Sequence, residues 1–105
     1  MAQFLITYLG GNPPETPEQG QAHFAEYKAW LGKLGSAVVS QANPLKATVT
    51  IAPDGSVSQG SSTQMSGYTI VEAESIENAI TMASACPFLN IGGSLEVSEL
   101  VQMSM

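Results

Sequence analysis

Positive charge is scarce in this chain. It has no arginine, and Lys28, Lys33 and Lys46 face nine acidic residues, for a formal net charge of −6. Phosphate neutralisation needs a basic footprint, so nucleic acid is not an expected partner. An anionic membrane surface is disfavoured on the same ground. Cys86 stands alone, which excludes an intrachain disulfide and suits a reducing compartment. No apolar run approaches the roughly 20 residues of a membrane helix. The opening Met1-Ala2-Gln3-Phe4 lacks the basic start of a signal peptide, so a cytoplasmic protein is expected. Histidine is also single, and there is no HxxxH, CxxC or carboxylate cluster, so no metal is expected. Gly10-Gly11 and Gly92-Gly93 read as turns, without the GxGxxG or P-loop of a nucleotide site, and no cofactor is expected. A serine triad is excluded as well, because the only aspartate, Asp54, sits in a turn.

What remains is the composition of one globular domain over residues 1–105, 44% hydrophobic and 11% charged. So thin a charge coat leaves surface for a partner. Gln3 to Leu9 reads as a strand, stopped by Gly10-Gly11. Thr16 is placed to cap a helix, with Pro17 at its first position and Gln19 able to close a capping box. Along it, His23, Phe24, Tyr27, Trp30, Leu31 and Leu34 are expected to share one face, and Gly35 to end it. Ala37 to Gln41 reads as a second strand, broken by Ala42-Asn43-Pro44. Ala47 to Ile51 and Ser56 to Gln59 read as a hairpin around Pro53-Asp54-Gly55. Gly67 to Glu72 is a strand. Ser75 caps a second helix with the stripe Ile76, Ala79, Ile80 and Ala83, stopped by Pro87. Ser94 to Leu100 is the last strand, and Met103 and Met105 lie in a tail expected to fray.

The order β-α-β, hairpin, β-α-β predicts an α+β, ferredoxin-like βαββαβ sandwich with an extra β-hairpin. Its helix-free sheet face looks too apolar to stay wet, so a homodimer is expected through that face.

His23 is the natural centre of any chemistry. Near neutral pH an imidazole can give or take a proton. Phe24 and Tyr27 beside it are expected to desolvate it and favour the neutral, basic ring. The alternative is a histidine packed at a dimer contact. Cys86 follows the second helix, where the dipole raises a thiol pKa, which points to a buried small hydrophobe. Tyr8, Tyr27 and Trp30 are candidates either for the core or for the aromatic wall of a small-molecule pocket.

The ordered set of segments resembles the YCII-related small proteins, near their DGPF-type branch. It comprises FLITYLGG, HFAEYKAWLGKLGSAVV, NPLKATVTIAPDG, GYTIVEAESIENAITMASACPFL and GGSLEVSEL, and so covers nearly the whole chain. The resemblance implies a ferredoxin-like fold pairing as a dimeric α+β barrel. Several members carry a histidine on the first helix and an aspartate before a Pro-aromatic pair, proposed as a catalytic couple. A dehydrochlorinase is among the relatives. His23 matches the histidine, but Cys86 stands where the aspartate would precede Pro87-Phe88. The loop Ser58-Gln59-Gly60-Ser61-Ser62 replaces the DGPF tetrapeptide. The implied role is a lyase- or isomerase-like step with His23 as acid/base and Cys86 as an altered partner. A non-catalytic metabolite-binding module and a structural homodimer are the other two readings.

Overall fold

The computed structural model describes residues 1–103, so the expectation for Met105 lies outside the described residues. The elements are β1 (Ala2–Gly10), α1 (Pro17–Leu34), β2 (Val38–Pro44), β3 (Val49–Ile51), β4 (Val57–Gln59), β5 (Met65–Ala73), α2 (Ile76–Ser84) and β6 (Gly93–Glu99). Four strands form one antiparallel sheet in the order β2-β5-β1-β6, with both helices on one face. This is the ferredoxin-like arrangement the sequence predicts. β3 and β4 form a separate two-stranded hairpin.

Alternation decides which face of the sheet is packed. Phe4, Ile6 and Tyr8 of β1 and Thr69, Val71 and Ala73 of β5 are buried against the helices. Leu5, Thr7 and Leu9, with Tyr68 and Ile70, point to the other side. The molecule is only 18 Å thick, the depth of one sheet and one helix layer, so among the described residues no second layer covers that side, although Thr7 lies buried within it.

Local chemistry sets the helix ends. The Thr16 hydroxyl accepts from Gln19 N–H at 3.1 Å, and the Ser75 hydroxyl accepts from Asn78 N–H at 3.2 Å. The Gln19 amide oxygen reaches back to Glu15 N–H at 2.9 Å, one residue before the cap, so the capping box closes around Thr16 rather than on it.

Three expectations are corrected. β2 does not break at Ala42-Asn43-Pro44 but runs through to Pro44, with its register shifted twice against β5. An edge strand tolerates proline and bulges because its outer N–H groups need no partner. Phe24 is not on the packed face: it is 60% exposed, with Lys28 Nζ 5.1 Å from its ring centre. The face that meets the core is the narrower line Tyr27, Trp30, Leu31 and Leu34. Ile80 is likewise exposed, leaving Ala79 and Ala83 as the buried part of the α2 stripe. Two small residues let α2 lie close to the sheet.

Candidate functional site

The inward positions of β1 and β5 put Tyr8 and Thr69 under the middle of α1, where the turn after His23 brings Tyr27 down onto them. The Tyr8 hydroxyl is hydrogen-bonded to both Tyr27 and Thr69, and the Tyr27 hydroxyl lies 3.2 Å from Thr69 Oγ1. Thr69 is fully buried, so this three-hydroxyl cluster satisfies its only polar side-chain atom. Burial pushes the Tyr8 phenol well above the usual tyrosine range and raises Tyr27 as well. Both phenols therefore stay protonated at physiological pH and can act as hydrogen-bond donors.

Around this cluster the aromatic rings form a wall. Tyr8 and Tyr27 meet edge-on with centroids 6.0 Å apart, Phe88 lies 5.1 Å from Tyr8, and the His23 ring is 6.3 Å from Tyr27. Together with Phe24 and Asn43 they border a cavity of about 260 Å³ at the Pro44 end of β2. That is below the usual range for drug-sized ligands and suits a single-ring molecule. A second cavity of about 360 Å³, along the Asn12-Pro13-Pro14 loop, adjoins the first turns of α1 at Gln19 and Gly20. His23 and Phe24 line both cavities. His23 is half-buried rather than enclosed, because Phe24 turns outward instead of covering it.

Phe88 owes its place to two glycines. A Cβ on Gly11 would come within 2.7 Å of the end of the Phe88 ring, and one on Gly93 would overlap the ring edge. The paired glycines read as turns are thus also the seat of a cavity wall. Asn43 is held by donating to Ser40 Oγ at 2.9 Å and to the Tyr68 carbonyl at 3.1 Å.

The sequence-level candidates divide. His23, Tyr8 and Tyr27 come together at one cavity. Trp30 lines neither cavity beside His23; it is 4% exposed and donates its Nε1–H to the Met82 carbonyl at 2.9 Å. Cys86 is buried, also lines neither, and precedes a short 3-10 turn, Pro87–Ile91, instead of ending α2. Burial pushes its thiol up to about 11, partly offset by the Phe88 backbone N–H. The direction matches the dipole argument, but the cause is desolvation. His23 takes no part in the hydrogen bonds that fix Tyr8, Tyr27 and Trp30. Thr69, Asn43 and Phe88 are the lining and supporting residues that sequence reasoning misses. A lone threonine at an inward position between Gly67 and Val71 is the one available signal. Among the described residues no three His, Cys, Asp or Glu side chains cluster as a metal site needs, and no helix is long and apolar enough to cross a membrane.

No family model matches the chain, and no curated protein matches it. Among solved structures it is similar to the 5-chloro-2-hydroxyhydroquinone dehydrochlorinase TftG of Burkholderia phenoliruptrix AC1100, in complex with 2,5-dihydroxybenzoquinone. The match has a TM-score of 0.57 and 20% identity, covering 96% of this chain and 95% of that one. The likeness runs end to end and shows the ferredoxin-like α+β fold.

Proposed function

We propose that this protein is a YCII-related homodimer that binds a single-ring small molecule beside α1 and carries out a lyase- or isomerase-like step with His23 as acid/base. The observation that carries this reading is the convergence of His23 with two protonated phenols and Asn43 on one aromatic-walled cavity. In such a site His23 moves a proton to or from the ring substrate. Neutral hydroxyl donors in a partly desolvated wall favour negative charge developing on a ring oxygen. Cys86, as a buried thiol rather than a carboxylate, supplies core packing and no charge to steady an imidazolium. TftG is a dehydrochlorinase solved with a planar single-ring ligand, which supports the substrate class. The homodimer is supported by the bare sheet face carrying Leu5, Leu9, Tyr68 and Ile70. A cytoplasmic location suits the single buried cysteine.

A second reading, binding without turnover, is favoured by one observation: His23 lacks an orienting partner in the hydroxyl cluster next to it. One experiment separates the two. The protein is titrated with 2,5-dihydroxybenzoquinone while its melting temperature is followed, then incubated with 5-chloro-2-hydroxyhydroquinone while chloride release is followed. A raised melting temperature with release that His23→Ala abolishes supports the enzyme. A raised melting temperature without release supports the binding module. No thermal response to either compound overturns this choice of ring ligand.

A further inference from the structure

The β3–β4 hairpin is an arm with an unpartnered apolar side. Ile51 pairs with Val57, and Val49 lies two residues from Ile51, so all three share one face; Thr50 and Ser58 take the other. That apolar face is exposed, by 46% at Val49, 68% at Ile51 and 62% at Val57. The arm joins no strand of the main sheet. The radius of gyration is 15.2 Å, against about 13 Å for a compact chain of this length, which places the arm away from the body. An isolated two-stranded hairpin is marginal in water. This one is nevertheless firmly built at its base: Gly60 N–H donates to the Thr48 carbonyl at 2.9 Å and Thr50 Oγ1 to the Gly60 carbonyl at 2.7 Å. Ala47, with φ 57°, takes the left-handed conformation that a Cβ disfavours, and so bends the chain where the arm departs.

A matching acceptor lies on the same chain, where the chain's own arm does not sit. Ile80, Ala83, Ser84, Leu89, Leu95 and Val97 line a groove of about 380 Å³ between α2 and β6, in which the one polar side chain, Ser84, donates to the Ile80 carbonyl at 2.7 Å. Ile80 is 49% and Leu89 42% exposed. Arm and groove lie at opposite edges of the sheet but at the same end of its strands. Pro44, where the chain turns toward the arm, pairs with Gly67, Gly67 with Tyr8, and Tyr8 with Leu95 of the groove. A two-fold axis along the strands, with the bare sheet faces together, lays the β2 edge of one copy over the β6 edge of the other. It also keeps those ends together. Each limb of the arm spans about six residues, so it reaches roughly 20 Å, against the ~10 Å between facing sheets. The two surfaces are free of charge except for Asp54 at the arm's turn, so the −6 charge of each copy does not oppose their contact.

We propose that two copies of this chain exchange arms, the Val49, Ile51 and Val57 face of each docking in the α2–β6 groove of the other. The contact is isologous and made twice, and the inference rests on the homodimer proposed above. The test mixes two single variants, Ile51→Cys and Leu89→Cys, with a short bismaleimide, and separately measures the dimer dissociation constant of Ile51→Asp by sedimentation. All three changes fall at exposed positions and leave the core intact. The expected result is a covalent dimer in the mixture, absent from either variant alone, and a dissociation constant raised at least roughly tenfold by Ile51→Asp. A dimer whose constant is unchanged by Ile51→Asp, with no mixed cross-link, overturns the arm exchange and leaves the sheet-face dimer standing. A monomer at every concentration overturns both.

Discussion

The two halves of α1 share one helical face and do different work. In the C-terminal half, Trp30 is buried and its indole N–H is tied to Met82 of α2, so this half joins the two helices. In the N-terminal half, His23 is half-buried between two cavities, and only Tyr27 links it to the hydroxyl cluster below. Stability therefore concentrates at one end of the helix and accessible polar chemistry at the other. The largest effect that sharpens this contrast is at Trp30. Trp30→Ala removes a buried indole and leaves the Met82 carbonyl only the Ala85 N–H at 3.4 Å, and is expected to cost ~3–5 kcal/mol in urea unfolding. A loss under about 1 kcal/mol would mean that α1 is held elsewhere.

The next effect tests the floor beneath both halves by pH. Cys86 and the two phenols have raised pKa values in the fold, so each favours the folded state while protonated and ceases to do so as it ionises. The contribution is complete below the unfolded pKa and is lost as pH rises through the folded one. For Cys86 the window runs from 9.0 to about 11. The loss there is ~2–3 kcal/mol. Stability followed against pH should be level up to about 9 and then fall. In Cys86→Ala the onset should move up to about 10, where Tyr8 and Tyr27 begin to ionise on unfolding. An unchanged onset would locate the alkaline sensitivity outside Cys86.

Gly93→Ala presses on the cavity wall alone. Its Cβ would overlap the Phe88 ring, so the ring must leave its seat, at ~1–3 kcal/mol. Gly93 does not take a positive φ, which makes the cost steric. Combined with Phe88→Ala, the penalty of the added methyl should largely vanish, and a double-mutant cycle measures that coupling. Additive losses would show that Phe88 does not rest on Gly93.

Much of this frame is legible in the residues themselves. Thr16 and Ser75 announce their helices through chemistry confined to one turn, and alternation in β5 marks Thr69 as an inward position. Where local and tertiary forces compete, the reading fails. Pro44 says "break", yet β2 continues because Asn43 is tied to the Tyr68 carbonyl and the edge needs no further N–H. Helical spacing places Phe24 beside His23 but does not measure how wide a stripe the sheet covers. The His23, Tyr8 and Tyr27 group follows from residue type and period. Phe88 and its glycine seat do not, because that contact joins three separate segments in space.

The smallest stability effect belongs to the residue that the proposed function leans on most. His23 makes no hydrogen bond to the cluster and is half-buried, so His23→Ala should change unfolding free energy by no more than about 0.5 kcal/mol. The same change should remove the thermal response to 2,5-dihydroxybenzoquinone if the ring contributes to binding, while Trp30→Phe, at the other end of the helix, should keep that response. A His23→Ala variant that unfolds as readily as Trp30→Ala would assign His23 to packing, and the division of labour along α1 would fail. A stable variant that no longer responds would place stability and ligand recognition on separate turns of one helix.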